Sequence, residues 1–167
     1  MNYIGLSKYD TANGDGIRAS IFVSGCRLHC RGCFNPESWN FNAGKPVTNF
    51  VIQDLIAAVD SPYVSGLSIL GGDPFEPENR EGVLNICKEF RQHFGKTKTI
   101  WIWSGRKYEK LIECPESKAI LDLCDVLVDG AFVEHLKVTG RHWYGSSNQR
   151  VLKINPENKP TVLATED

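Results

Sequence analysis

Cys26, Cys30 and Cys33 lie in the run Gly25-Cys-Arg-Leu-His-Cys-Arg-Gly-Cys-Phe34, a C-x3-C-x2-C spacing directly after an apolar segment. Three thiolates on one tight loop can hold three irons of a [4Fe–4S] cube and leave the fourth iron without a protein ligand. An iron with an open position can bind and activate a small molecule, by the logic that separates catalytic from structural zinc sites. Two simpler readings stand beside this one. A structural Cys3His zinc knuckle would take His29 or a distant residue as fourth ligand, but structural zinc commonly uses paired ligand sets, and His29 adjoins Cys30. A plain electron-carrying ferredoxin would take a fourth cysteine from a recognisable motif.

The second constellation is Leu70-Gly-Gly-Asp-Pro-Phe75, at the C-terminal end of a predicted strand. Gly71 and Gly72 let backbone approach a ligand closely, and the Asp73 carboxylate can accept hydrogen bonds from an ammonium group. Ligands of α/β sheets bind at such strand ends. Asp129 and Ser104 also end predicted strands and read equally as cofactor or cation contacts and as simple strand-to-turn residues. The stretch from Asn13 to Gly16 reads equally as a tight turn. Trp101 and Trp103 share one face of their strand and read as core or barrel lining. Cys87 falls on a helical apolar stripe and reads as an inert core thiol, as do Cys114 and Cys124. His93, His135 and His142 show no ligand spacing.

The elements that must position these residues follow from hydrophobic pattern. Short apolar runs at Ala19–Ser24, Gly66–Leu70, Thr99–Trp103 and Val126–Val128, with a weaker one at Val151–Ile154, read as strands covered on both faces, as in a parallel sheet. A helix follows Phe75, with Pro77 in its first turn, an apolar stripe of Val83, Ile86, Cys87, Phe90 and Phe94, and Gly95 closing it. A second helix starts with Thr48 as N-cap and carries Val51, Ile52, Leu55, Ile56 and Val59. A third spans roughly Glu116–Cys124. This order implies βαβ units and an α/β fold. About 134 residues follow Cys33, whereas a closed eight-stranded barrel takes about 250. The expectation is therefore an incomplete, open-sided (β/α) barrel of roughly five or six mostly parallel strands. Residues 1–154 form the domain, and the polar, Pro-containing stretch 155–167 reads as a loosely ordered tail.

At 167 residues and a net charge of −1, the chain has room for one hydrophobic core and no basic footprint for nucleic acid. Its first ten residues hold no signal-peptide pattern, and no apolar run approaches the roughly 20 residues of a membrane span. A cytoplasmic location follows as an expectation. There thiols stay reduced, and three cysteines within eight positions point to metal or catalysis rather than disulfides.

The cysteine triplet followed by a Gly-Gly-acidic turn resembles the radical S-adenosylmethionine superfamily. Within it the chain is similar to the activating proteins of anaerobic ribonucleoside-triphosphate reductase. The stretches that carry the likeness are Asn13-Gly-Asp-Gly-Ile-Arg18, Phe22-Val-Ser-Gly-Cys26, Gly32-Cys-Phe-Asn35, Gly71-Gly-Asp-Pro74, Trp101-Ile-Trp-Ser-Gly105, Asp125-Val-Leu-Val-Asp-Gly130 and Gly145-Ser-Ser-Asn-Gln149. They keep family order over roughly residues 1–154. The resemblance implies that Cys26, Cys30 and Cys33 ligate a [4Fe–4S] cluster whose open iron is chelated by the amino and carboxylate groups of S-adenosyl-L-methionine. One electron then breaks the S–C5′ bond, and the 5′-deoxyadenosyl radical takes hydrogen from a glycine of the partner reductase. It assigns Gly71, Gly72 and Asp73 to the methionine amino group, and Gly32, Cys33 and Phe34 to further cofactor contact. The residue before the third cysteine, often aromatic in the superfamily, is Gly32 here, with Phe34 a substitute near adenine. Tyr144 stands where the activating proteins tend to carry arginine, with Arg141 or Arg150 as replacements. The partners implied are the reductase, in a hetero-oligomeric complex, and a low-potential electron donor such as a flavodoxin. The alternatives are an activase of another glycyl-radical enzyme, a short small-molecule radical enzyme, or a non-catalytic iron–sulfur or zinc module.

Overall fold

A computed structural model describes residues 1–140, 143–154 and 161–162. Its strands are β1 (Asn2–Asp10), β2 (Ile17–Val23), β3 (Lys45–Pro46), β4 (Val64–Gly71), β5 (Thr99–Ser104), β6 (Val126–Asp129), β7 (Arg150–Lys153) and β8 (Thr161–Val162). The helices are α1 (Asn49–Val59), α2 (Pro77–Phe94), α3 (Tyr108–Leu111) and α4 (Pro115–Leu121). All strands join one sheet in the order β3-β1-β2-β4-β5-β6-β7-β8. The four central strands β2, β4, β5 and β6 run parallel, while β1 and β3 on one side and β7 and β8 on the other add antiparallel. The fold is thus mixed α/β around a parallel centre.

The sheet holds eight strands among the described residues, where five or six were expected. β3 and β8 are two residues each, too short to leave a pattern. β1 buries only Asp10, so its sequence lacks the apolar run that marks the central strands. Those central strands were legible because alternate residues enter two different apolar layers. Ala19, Ile21, Val23, Leu67, Ile69, Ile100, Ile102 and Leu127 pack with α1, α2 and α4 in one core. Trp101, Val126, Val128 and Val151 form a second cluster, joined by Trp103, Trp143 and Tyr144. Helices therefore cover one face, and the β6–β7 connection brings Trp143 to the other.

The helix ends follow local chemistry. Thr48 accepts the Val51 amide at 3.4 Å as the N-cap of α1. Pro77 opens α2, which buries Val83, Ile86, Cys87, Phe90 and Phe94 before Gly95 turns the chain at φ 58°. The third helix is shorter than expected and ends at Leu121.

Arg18 is buried among Ser68, Thr99 and backbone carbonyls at the N-terminal ends of the parallel strands, opposite the cysteine loop. Its Nε donates to Ser68 Oγ, Nη1 to Thr99 Oγ1 and Asp15 O, and Nη2 to Leu67 O and Thr99 O, all within 3.0 Å. Burial lowers its pKa to about 10. Among the described residues no helix is long and apolar enough to cross a membrane. Of the expected polar tail only Thr161 and Val162 are described, as β8; the rest of it, with Arg141 and His142, lies outside the described residues.

Candidate functional site

β2 delivers the chain to the cysteine loop through Gly25, whose φ of 107° suits glycine and where a Cβ would lie 2.2 Å from the Phe41 ring. The loop is then strapped by a short 3-10 turn at Pro36–Trp39: the Gly25 amide donates to Ser38 O at 2.7 Å and the Cys26 amide to Trp39 O at 3.2 Å. The Cys33 amide donates to Cys30 O at 3.1 Å, which closes the second half of the loop. All three cysteines are partly exposed and unpaired. Burial raises the pKa of the Cys26 thiol, and the charges of Asp73 and Glu76 act in the same direction, while amides of Leu28 and His29 hydrogen-bond to it and oppose the shift. Amides aimed at sulfur are a protein's usual means of stabilising thiolate bound to iron.

The donor set fits a multi-iron cluster better than a single zinc ion. His29, the nearby candidate for a fourth zinc ligand, takes a positive φ of 47° and stacks on Trp39 with ring centroids 4.3 Å apart. Among the described residues no three His, Cys, Asp or Glu side chains gather at one ion-sized point. A cubane asks for no such convergence, since each thiolate takes a different iron.

The Gly71–Pro74 turn sits against the base of this loop. Gly71 pairs with Val23 at the end of β4, with φ 113° and its would-be Cβ 2.5 Å from the Val23 backbone. The Gly72 amide donates to Val23 O at 2.7 Å and the Asp73 amide to Gly25 O at 2.8 Å. A side chain at Gly72 would come within 2.5 Å of Gly25 O. The two motifs singled out by spacing are therefore laced together by backbone. Asn79 on α2 adds to the lacing, its Nδ2 donating to Ser24 O and Asp73 O at 3.0 Å each.

The side chain of Asp73 is buried and already occupied. It accepts from the Phe75 amide at 2.9 Å, Ser104 Oγ at 3.0 Å and the Gly105 amide at 3.0 Å, and Arg106 Nη1 lies 2.9 Å away. Burial pushes its carboxyl up, with Arg106 and these donors opposing. Asp73 and Ser104 thus meet each other, and the turn presents its glycine backbone next to the loop.

Asp129 is likewise buried, and it accepts from Arg150 Nη2 at 2.6 Å, Arg150 Nε at 3.0 Å and the Tyr108 amide at 2.7 Å. Arg150 also pairs with Glu109 at 2.8 Å, so the arginine considered as an anion contact faces two carboxylates. Phe34 is 71% exposed, 5.4 Å from the Phe132 ring. Gly32, at φ 78°, lies beside Glu134, which pairs with Arg31 at 3.1 Å. An open hollow of about 520 Å³ is lined there by Arg31, Phe132, Val133, Glu134 and His135. In the Gly145–Gln149 stretch, Gln149 Oε1 accepts the amides of Gly145 and Ser146, and Gln149 Nε2 donates to Gly130 O at 2.8 Å. That stretch therefore braces the end of β6. Tyr144 packs against the tryptophan cluster.

Sequence reasoning missed a set of ion pairs beside the loop. Glu76 is fully buried and contacts Arg27 at 2.7 Å and Arg106 at 2.8 Å. Arg27 pairs in turn with Glu78. Glu76 lies 49 and 30 positions from its two partners, so no local pattern announces the contact. The one visible signal was the crowding of charge around the motifs, Arg27 beside Cys26 and Glu76 and Glu78 just past the glycine turn.

The family model of the 4Fe-4S single cluster domain matches residues 12–152. The chain is 38% identical over 153 residues to the anaerobic ribonucleoside-triphosphate reductase-activating protein of Escherichia coli (strain K12), covering 90% of this chain and 97% of that one. It is 36% identical over 151 residues to the protein of the same name from Enterobacteria phage T4, covering 90% and 93%. The like-named protein of Haemophilus influenzae matches at 36% over 151 residues, 89% and 96%.

Proposed function

This chain belongs to the 4Fe-4S single cluster domain family and, within it, to the anaerobic ribonucleoside-triphosphate reductase-activating proteins, and from that premise we propose that it is a radical S-adenosylmethionine enzyme that generates a glycyl radical on its reductase. The observation that carries the reading is the likeness over about nine-tenths of both chains, which includes the cysteine loop and the glycine turn. The four parallel strands with helices on one face also suit the incomplete barrel of that superfamily.

When bound, the cluster would supply the electron that cleaves the S–C5′ bond of S-adenosyl-L-methionine, releasing methionine, and the 5′ carbon would take a hydrogen atom from a glycine of the reductase to give 5′-deoxyadenosine. Cys26, Cys30 and Cys33 hold the cluster in this reading, and the Leu28 and His29 amides stabilise the Cys26 thiolate. The backbone of Gly71 and Gly72 meets the methionine end of the cofactor. Asp73 and Ser104 hold that turn in place from behind, and Asp129 does the same for the end of β6 through Arg150. Phe34 and the backbone of Gly32 and Cys33 flank the cofactor on the outer side of the loop. Water must be kept from such chemistry; in this reading the reductase supplies a wall of the open sheet when its glycine loop enters. A low-potential donor such as a flavodoxin, in the cytoplasm, completes the system.

The test is anaerobic reconstitution with iron and sulfide, reduction, and chromatography for 5′-deoxyadenosine and methionine, with wild type beside Cys30→Ala. Product in wild type, none in Cys30→Ala, and a glycyl-radical signal on added anaerobic ribonucleoside-triphosphate reductase are expected. A well-formed wild-type cluster that yields no product with the reductase present would overturn the reading.

A further inference from the structure

Glu76 occupies the N-cap position of α2, where short acceptors such as Ser, Asp and Asn are favoured because they reach back to the helix amides. Its side chain makes no capping bond. Instead it extends into the space between α2 and the cysteine loop, where its carboxylate is fully buried. Oε1 accepts the backbone amide of Arg27 at 2.8 Å and Arg106 Nη2 at 2.8 Å, and Oε2 accepts Arg27 Nη1 at 2.7 Å. Arg27 directly follows Cys26, and its guanidinium lies over the Phe41 ring at 4.6 Å. Arg106 links the same carboxylate to Asp73 in the glycine turn. One buried side chain thus grips the main chain next to the first cysteine and ties it, through a single arginine, to the other motif of the site.

We propose that Glu76 is a positioning residue for the cysteine loop, its buried carboxylate clamping Arg27 so that Cys26 is preset for the cluster and a fixed negative charge stands beside it. The proposal rests on the reading of Cys26, Cys30 and Cys33 as cluster ligands. Two consequences follow. Loss of the clamp frees the loop, and groups that orient metal ligands typically cost 10–100-fold in metal retention when removed. Loss of the charge favours the reduced, more negative cluster, because net charge near the irons helps to set their potential.

The experiment uses the full chain as wild type, Glu76→Gln and Glu76→Ala. Hydrogen exchange of the Arg27 amide in the metal-free protein reads the clamp directly; iron loss to a chelator after anaerobic reconstitution reads ligand positioning; the midpoint potential reads the charge. The expected result is faster Arg27 exchange and roughly tenfold or faster iron loss in Glu76→Ala, with Glu76→Gln less affected in both because its carbonyl still accepts the amide. Both variants should show a more positive potential, which a merely structural residue would not move. Should Glu76→Ala fail to fold, the near-isosteric Glu76→Gln still carries the potential measurement. Unchanged exchange, iron loss and potential in variants of a cluster-bearing protein overturn this proposal alone. A wild type that builds no cluster overturns the ligand reading and this one with it.

Discussion

Two buried carboxylates three positions apart in the site's charge network, Asp73 and Glu76, are shifted in opposite directions although burial pushes both upward. Burial pushes the Asp73 carboxyl above its ordinary value, against Arg106 and its hydrogen-bond donors. Burial acts on Glu76 in the same sense, but the hydrogen bonds from Arg106 and Arg27 outweigh it and hold that carboxyl low. The sign for stability follows from linkage. A folded pKa below the unfolded one gives stability that is present above the unfolded value of 4.5 and is lost as pH falls through the folded value. Glu76→Gln should therefore lose about 1–3 kcal/mol at pH 7, because Glu76 is buried while Arg27 and Arg106 stay partly in water, which screens the pairs. The gap should begin to narrow below the unfolded value of 4.5 and close only as pH falls through the lower folded value, where the wild-type carboxyl protonates and loses its ion pairs. Urea denaturation at pH 7, 5, 4 and 3 checks this; a gap that stays constant with pH would show that the ion pairs contribute nothing. At this scale the cysteines were readable because loop spacing is local, and Glu76 was not, because its partners come from distant parts of the chain. Asp73 was legible as important for the same local reason, yet its carboxylate turns inward to Ser104, a contact that needs β4 and β5 side by side.

At the scale of elements, what the site needs is a close backbone approach between the loop after β2 and the turn after β4. Parallel pairing runs on to Val23 and Gly71, and the strand ends then exchange the Gly72 and Asp73 amides for the carbonyls of Val23 and Gly25. Gly71 cannot carry a side chain there: its φ is 113° and a Cβ would meet Val23 N and O at 2.5 Å, with no flexible group to give way. Gly95 also has a positive φ, but a Cβ there meets nothing within 4 Å. Gly71→Ala should accordingly lose at least about 3 kcal/mol, backbone strain and steric conflict together. Gly95→Ala, at φ 58° and ψ −126°, should lose about 1–3 kcal/mol from backbone strain alone. Chemical denaturation of both variants checks the order, and equal losses would refute the close approach. The central strands and α2 were legible because their apolar periodicity is set by layers on both sides. β1 was not, since it is held by pairing to β2 rather than by burial of its own side chains.

Across the whole molecule, polar work is divided between the two ends of the parallel strands. The C-terminal ends carry the cysteine loop, the glycine turn and the pairs built on Glu76 and Asp129. The N-terminal ends are sealed by Arg18, held by neutral oxygens of β4, β5 and the 10–17 turn. The sheet's outer strand β3 is a Lys-Pro pair, which limits edge pairing. This division predicts that stability and cluster binding separate by position. Arg18→Ala removes all of the guanidinium's hydrogen bonds at once and leaves the buried Ser68 Oγ and Leu67 O, and the part-buried Thr99 Oγ1, Thr99 O and Asp15 O, short of a donor. Each buried acceptor so stranded costs about 1 kcal/mol or more, so a loss of about 3–5 kcal/mol is expected. For a chain of this size that lowers Tm by roughly 6–20 °C. Arg18→Lys, with three donors on one nitrogen in place of five in a fork, should recover only part of it. Reconstituted well below its Tm, Arg18→Ala should still bind the wild-type amount of iron, because Arg18 and its partners sit at the N-terminal ends of the strands while the cysteine loop follows the C-terminal end of β2. Calorimetry beside iron analysis decides the matter: a large fall in Tm with full iron content supports two separable ends, whereas loss of iron in step with stability would mean that the sheet transmits disorder from one end to the other.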